Sequence, residues 1–161
     1  MLKSILPEFK ERNAKKQELL ASGMDESDIY VQIQAFQPIF IFIDSLDEFF
    51  HMVYSPPDGV GAMAGFVENI MEKGYLHNIY FFAAYDYSSA AHSIGCKAFN
   101  SYISYKSGIH LGGNTASQRI FDFSSIPYSE QAKVTRPGVG LIPPDAYTPA
   151  ARKVMIPLLK G

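Results

Sequence analysis

Asp44 is the residue with the clearest capacity for chemistry. It follows five consecutive large apolar residues, Ile39 to Ile43, and opens an acidic stretch, Asp44-Ser45-Leu46-Asp47-Glu48. An unbroken apolar run of this length predicts a strand buried on both faces of a parallel sheet. Phe49, Phe50, Met52 and Val53 follow at a spacing that suits the apolar face of a helix. Ligands of open α/β sheets bind just outside the carboxyl ends of the strands, which is where Asp44 stands. A carboxylate placed there after an apolar strand is the Walker B pattern, in which the acid holds the Mg²⁺ of a bound nucleotide. The same acid also serves simply as an N-cap for the next helix, and the motif alone does not separate the two readings.

A nucleotide site also needs a glycine-rich loop ending in Lys and Ser or Thr, and no G-x-x-x-x-G-K-[ST] occurs in the chain. Gly112-Gly113-Asn114-Thr115 is the nearest glycine cluster, between a predicted strand and a predicted helix, where exposed amides can bind an anion. It lacks the lysine and reads as a turn with a threonine cap. Gly59, Gly61 and Gly65 have the wrong spacing for a dinucleotide fingerprint and follow a helix instead of a strand. His51, His77, His92 and His110 are scattered without metal-ligand spacing and read as surface or packing residues. Cys96, the single cysteine, has no base beside it and reads as a buried, inert thiol in an amphipathic helix. A G-x-S-x-G elbow is absent, so hydrolase chemistry has no support.

The elements that would position Asp44 follow from periodicity and punctuation. Residues 1–23 predict one mostly exposed helix with Leu6, Phe9, Leu19 and Leu20 as its buried contacts, ending at Gly23. Lys10, Arg12, Lys15 and Lys16 on it read as a solvated face. Ile29, Ile33 and Phe36 predict a second helix from Asp25, with a short strand as the competing reading. After the helix that follows Asp44, Met63, Phe66, Val67, Ile70 and Met71 form the stripe of another, stopped by Gly74. Asn78 to Ala84 predicts a second buried strand that leads to Asp86, Ser88 and Ser89, and Ser89 to Tyr105 a further helix. Apolar strands separated by helices of this length imply βαβ crossovers and a parallel sheet. Ile109 to Leu111 predicts a short strand, Thr115 caps a helix carrying Gln118 and Arg119, and Val139 to Ile142 and Lys153 to Leu159 form closing strands that pair.

Bulk properties narrow the classes of function. The chain has 161 residues, 47% hydrophobic and 19% charged, as expected of one ordinary globular domain. A net charge of −2 argues against a protein that grips nucleic acid through its phosphates. One cysteine excludes an internal disulfide, and the charged residues after Met1 to Ile5 give no signal peptide. The longest apolar run is far short of a membrane span, so a role at a membrane needs an anchor elsewhere.

Taken in order, PIFIFIDSLDEFF, NIYFFAAYDYSS, FNSYISYKSGIHLGG, ASQRIFDF and RPGVGLIPPD resemble the second half of an FtsK/SpoIIIE-type ATPase domain. The nearest match is the last ATPase domain of the EssC/EccC proteins, the membrane-anchored motors of type VII secretion. The resemblance covers residues 38–161 and leaves 1–37 as an N-terminal helical segment. It implies an α/β fold: part of a P-loop (RecA-like/ASCE) three-layer α/β/α architecture with a mostly parallel sheet, its P-loop strand missing. Asp44 falls on the Walker B aspartate and is the catalytic and Mg-binding candidate. Ser45 replaces the glutamate that orients the attacking water in most such ATPases. Asp86 falls near the polar sensor position, so Asp44, Ser45 and Asp86 make up the nucleotide-binding set. Glu48 swings back toward Asp44 more readily than Asp47 on a helix of 3.6 residues per turn, and is the candidate to compensate for Ser45. The resemblance also implies that Gln118 and Arg119 match a helix that faces a neighbouring subunit or domain in such motors. The resemblance further implies a piece of a larger membrane-anchored protein on the cytoplasmic side of a bacterial membrane. Its implied partners are the other domains of the motor and small helical WXG-motif export substrates, with no DNA. No cofactor is expected in this chain alone, and Mg-ATP belongs to the full-length protein. The missing strand leaves sheet edges unpaired, so self-association is expected.

Overall fold

A computed structural model describes residues 2–55, 64–88 and 95–157. The chain is mixed α/β and divides into two units, Met1–Tyr102 and Ile103–Gly161. Among the described residues no helix is long and apolar enough to cross a membrane.

The first unit begins with helix α1, Leu2–Ala21. Among its described positions the buried ones are Ile5, Arg12 and Leu19, a seven-residue spacing that keeps them on one stripe. Leu20, expected inside, is exposed because it lies one residue off that stripe. Gly23 closes the helix at φ +78°, with Gly23 N donating to Leu20 O and Met24 N to Leu19 O at 3.0 and 3.3 Å. Helix α2 spans Glu26–Gln34, so the strand alternative does not form; Ile29 and Ile33 pack with Leu19 against Met24 and Phe36.

Strands β1, Ile39–Ile43, and β2, Ile79–Ala83, pair in parallel, from Ile39 opposite Ile79 to Ile43 opposite Ala83. Between them lie α3, Leu46–Tyr54, and α4, Ala64–Lys73, with a 3-10 turn at Gly74–His77. The α-helix stops before Gly74, as expected, and Gly74 opens the 3-10 turn that follows. An added Cβ at Gly74 would stand 2.8 Å from Ile79 O, so the turn and the strand pack backbone to backbone. Residues 59–63 of the helix predicted there lie outside the described residues. Phe49, Phe50, Val53, Val67, Ile70 and Met71 form the buried side of these helices. Helix α5 spans Lys97–Ile103 and is shorter than expected; residues 89–94 of the predicted helix, including His92, lie outside the described residues.

The strand is not buried on both faces, as its sequence predicted. Ile41 and Ile43 face the core, whereas Phe40 is 54% and Phe42 72% exposed. The run IFIFI is thus alternating after all, with β-branched residues inward and aromatic ones outward. Among the described residues the parallel sheet also has only two strands, and the other three form an antiparallel sheet.

Arg12 is likewise not on a solvated face: it is only 2% exposed. Its Nη1 donates to His77 O and Asn78 O at 2.9 and 3.2 Å, and its Nη2 to Gln37 O at 2.8 Å. The guanidinium also lies over the Phe36 ring, 5.3 Å from its centroid. One side chain of α1 thereby holds the segments leading into both parallel strands. Asn78 completes the junction in the left-handed region, φ 57°, with its side-chain amide donating to Gln34 O and Phe36 O.

In the second unit, β3, His110–Leu111, pairs antiparallel with β4, Val139–Ile142, which pairs antiparallel with β5, Arg152–Met155. The closing strands pair as expected. A short helix, α6, covers Tyr128–Gln131. The helix expected after Thr115 does not form. Gln118 instead folds back on its own loop, its Oε1 accepting from Ile120 N and Phe121 N and its Nε2 donating to Phe121 O at 2.8 Å. Asn114 accepts from Ser117 N and Asp122 from Ser124 N in the same way. Such local side-chain bonds compete with the helical ladder and favour turns.

Arg12→Ala is expected to lower the unfolding free energy by about 3 kcal/mol, the scale of losing charged hydrogen bonds at buried carbonyls, and Tm by roughly 6–12 °C. Arg12→Lys should recover less than half of this, because an ammonium does not span three carbonyls as a guanidinium does. Wild-type stability in the alanine variant, measured by urea unfolding, would refute the role.

His77 packs edge-on to Phe9, ring centroids 4.7 Å apart. Burial, reinforced by the Lys16 and Arg12 charges, holds its pKa below the ordinary value, and burial does the same for His110. The Nδ1 of His77 and Nε2 of His110 are buried without a partner among the described residues. Both rings therefore stay neutral in the fold and protonate more readily once unfolded. The stability this confers is full above the ordinary pKa of about 6.5 and is lost as pH falls from there through the depressed folded values. Urea midpoints should fall between about pH 7.5 and pH 5, with a shallower slope in His77→Gln; an unchanged slope would contradict it.

Candidate functional site

The carboxyl ends of β1 and β2 bring the predicted acids to one edge. The ladder runs on past the strands, with Ala84 N donating to Ile43 O at 2.9 Å and Leu46 N to Ala84 O at 3.0 Å. Asp44 follows β1 and Asp86 follows β2, and both are exposed. Alternation places Asp44 on the face of Phe40 and Phe42, and Asp86 on the face of Phe82 and Ala84.

The acids differ in what engages them. Asp86 accepts from the hydroxyl and the backbone amide of Ser88 at 2.7 and 2.8 Å. The Ser88 hydroxyl first, then the amide, hold the Asp86 pKa below the ordinary range, while the Asp47 carboxylate opposes the shift. Ser45, in extended conformation at the N-cap of α3, turns its hydroxyl to Asp47 Oδ1 at 2.8 Å. It offers no base where an attacking water would need one. Glu48 is exposed in the first turn of α3. It lines a cleft of about 550 Å³ with Asp47, His51, Met52, Tyr54 and Cys96, which neither Asp44 nor Asp86 lines. Asp44, Ser45 and Asp86 thus lie just past the strand ends, and Glu48 lines the neighbouring cleft.

That cleft has little reactivity of its own. Burial, with a hydrogen bond to Glu68 adding to it, pushes the Tyr54 hydroxyl up to about 12. Burial and the Glu68 carboxylate raise the Cys96 thiol, which stays protonated. Cys96 is half-buried and precedes α5 instead of lying within it.

Among the described residues, the groups with the chemistry to meet Mg-ATP are the exposed Asp44 carboxylate and the glycine turn before Thr115. Asp44 suits a metal, and of the amides at the Gly112–Thr115 turn the one at Thr115 and the two that follow it are committed within the loop. Thr115 N donates to Gln131 O, Ala116 N to the same oxygen and Ser117 N to Asn114 Oδ1, at 3.0, 3.4 and 3.0 Å. A phosphate there would have to displace these bonds. Among the described residues no group of three or more His, Cys, Asp or Glu is placed to share a metal ion. Gln118 is buried in its loop clasp, while Arg119 is exposed in the same turn-rich segment.

Sequence reasoning missed Arg12 and the Tyr102 hydroxyl, which accepts from Ala83 N at 3.0 Å on the edge of β2 away from β1. The seven-residue spacing of Ile5, Arg12 and Leu19 was the available signal for the first. No local pattern signals the second. No protein-family model, curated protein or solved structure matches the chain.

Ser88→Ala is expected to raise the Asp86 pKa toward the ordinary value of about 3.9, read by carboxyl ¹³C NMR titration. An unmoved titration would mean that the Ser88 hydroxyl does not hold the carboxylate in solution.

Proposed function

We propose that the chain is the C-terminal part of the last FtsK/SpoIIIE-type ATPase domain of a type VII secretion protein. Its work is recognition and assembly within the motor and not hydrolysis by itself. The observation that carries this reading is the parallel pairing of β1 and β2 with Asp44 and Asp86 at their carboxyl ends and Ser45 committed to Asp47. A Walker B strand beside a sensor strand, with Ser45 in place of a catalytic carboxylate and no Walker A sequence, is the arrangement of a degenerate P-loop domain. On this reading the sheet belongs to a three-layer α/β/α fold, and the P-loop strand is supplied from outside this chain.

The partners that follow are the other domains of the motor and small helical WXG-motif export substrates, at the cytoplasmic side of a membrane to which another part of the protein is anchored. The net charge of −2 disfavours the DNA translocase alternative. Among the described residues the outer edges of β1 and β2 pair with no further strand, which supports self-association of the isolated chain.

A second reading keeps the chain as half of an active Mg-ATP hydrolysing domain whose Walker A lies upstream. The exposure of Asp44 favours it, since a metal can reach the carboxylate. Calorimetric titration of the chain with Mg-ATP separates the two. No heat of binding is expected, and a micromolar Kd would overturn the first reading in favour of the second. In a full-length protein, loss of this domain's hydrolysis on Asp44→Ala would do the same.

A further inference from the structure

The outward face of β1 and β2 carries a row of stacked aromatic rings that ends in two carboxylates. Phe40 stacks on Tyr80 and Phe42 on Phe82, with centroids 5.7 and 5.2 Å apart. Tyr80 is half-buried, and its hydroxyl donates to Gln34 Oε1 of α2 at 3.2 Å, so α2 covers the amino end of the row. Beyond it Phe40, Phe42 and Phe82 are 54%, 72% and 50% exposed, and the row runs out at Asp44 and Asp86. Parallel strands are ordinarily covered on both faces, and the cover is helical.

We infer that this face is the docking site of an amphipathic helix from a partner polypeptide, with an aliphatic stripe over the phenylalanines and positive charge toward Asp44 and Asp86. Two features select this occupant. The three phenylalanines expose on the order of 350 Å², at about 200 Å² per ring, which is far below the roughly 800 Å² per partner of a stable protein dimer, and the usual cover of a parallel sheet face is a helix. The carboxylates at the far end favour a cationic segment or the positive end of a helix dipole and repel an acidic one. A second copy of this chain would oppose the same acids with its own if the two faces met with their carboxyl ends together. The inference does not depend on the nucleotide-domain reading, because it uses only the sheet face and its charges.

The probe is a fluorescein-labelled synthetic helix of about 18 residues with leucine at i, i+3, i+4 and i+7 and lysine on the other face. Its comparators are a scrambled isomer and a version with glutamate for lysine. Fluorescence anisotropy with the full chain should show saturable binding of the striped lysine peptide and at least tenfold weaker binding of both comparators. Phe42→Asp and, separately, Phe82→Ser should each weaken it at least tenfold while thermal melts stay close to wild type. Asp44→Asn combined with Asp86→Asn should weaken the lysine peptide and not the scrambled one. Equal binding of the three peptides, or binding indifferent to Phe42→Asp, would overturn the inference. So would a concentration-dependent dimer in sedimentation that Phe42→Asp abolishes, since a second copy would then be the occupant.

Discussion

The buried guanidinium of Arg12 is the contact on which the first unit depends. Two parallel strands of five residues each cannot set their own register through a turn, because a crossover of two helices separates them. Arg12 ties Gln37 before β1 to His77 and Asn78 before β2, and so aligns the strands at their amino ends. An arginine suits this task because its fork reaches several carbonyls at once and stays charged. Asn78 reinforces the alignment, since its own carbonyl accepts from Ile39 N at 3.0 Å. The opposite ends of the strands are then fixed by consequence, and with them the positions of Asp44 and Asp86.

That alignment divides the sheet into two chemically different faces. Ile41, Ile43 and Ile79 pack inward, and Tyr85 meets Phe99 edge-on at 5.7 Å on the same side. The outward side keeps its stacked rings in solvent, where ring pairs gain some energy from each other but leave much apolar area wet. Among the described residues, an exposed acidic edge and an exposed aromatic face thus characterise the outward side. The two features reinforce each other because they lie on the same side of the same two strands.

The second unit is held together by different means. Its sheet is antiparallel and short, and much of its backbone is satisfied by nearby side chains. Gln118 serves its own loop, the Gln131 amide donates to Ile126 O at 2.6 Å, and Asp145 accepts from Tyr147 N and Thr148 N. The Tyr147 and Thr148 amides and the nearby Arg152 charge hold the Asp145 carboxyl below its ordinary pKa. Phe123 and Leu141 supply its buried apolar centre, with His110 edge-on to Phe123. Polar clasps of this kind give local order with little buried area, at a net gain of only about 1 kcal/mol per bond.

What the sequence by itself determined was element type wherever periodicity was long and punctuation clear. The helices at 2–21, 26–34, 46–54 and 64–73, the two apolar strands, and the placing of Asp44 and Asp86 just past strand ends were all legible. Tertiary structure decided the rest. A run such as IFIFI carries no label for which side will be covered, so the exposure of Phe40 and Phe42 was decided by how the described elements pack. Arg12 looked solvated because its charge is local information, whereas the three carbonyls that receive it come from residues 25 to 66 positions away. The helix after Thr115 failed because Gln118 captured the backbone groups a helix would have used, a competition that propensity alone does not weigh. Chemistry at the strand ends was visible as residue types; whether those residues meet, and what occupies their hydrogen bonds, depended on contacts made across the fold.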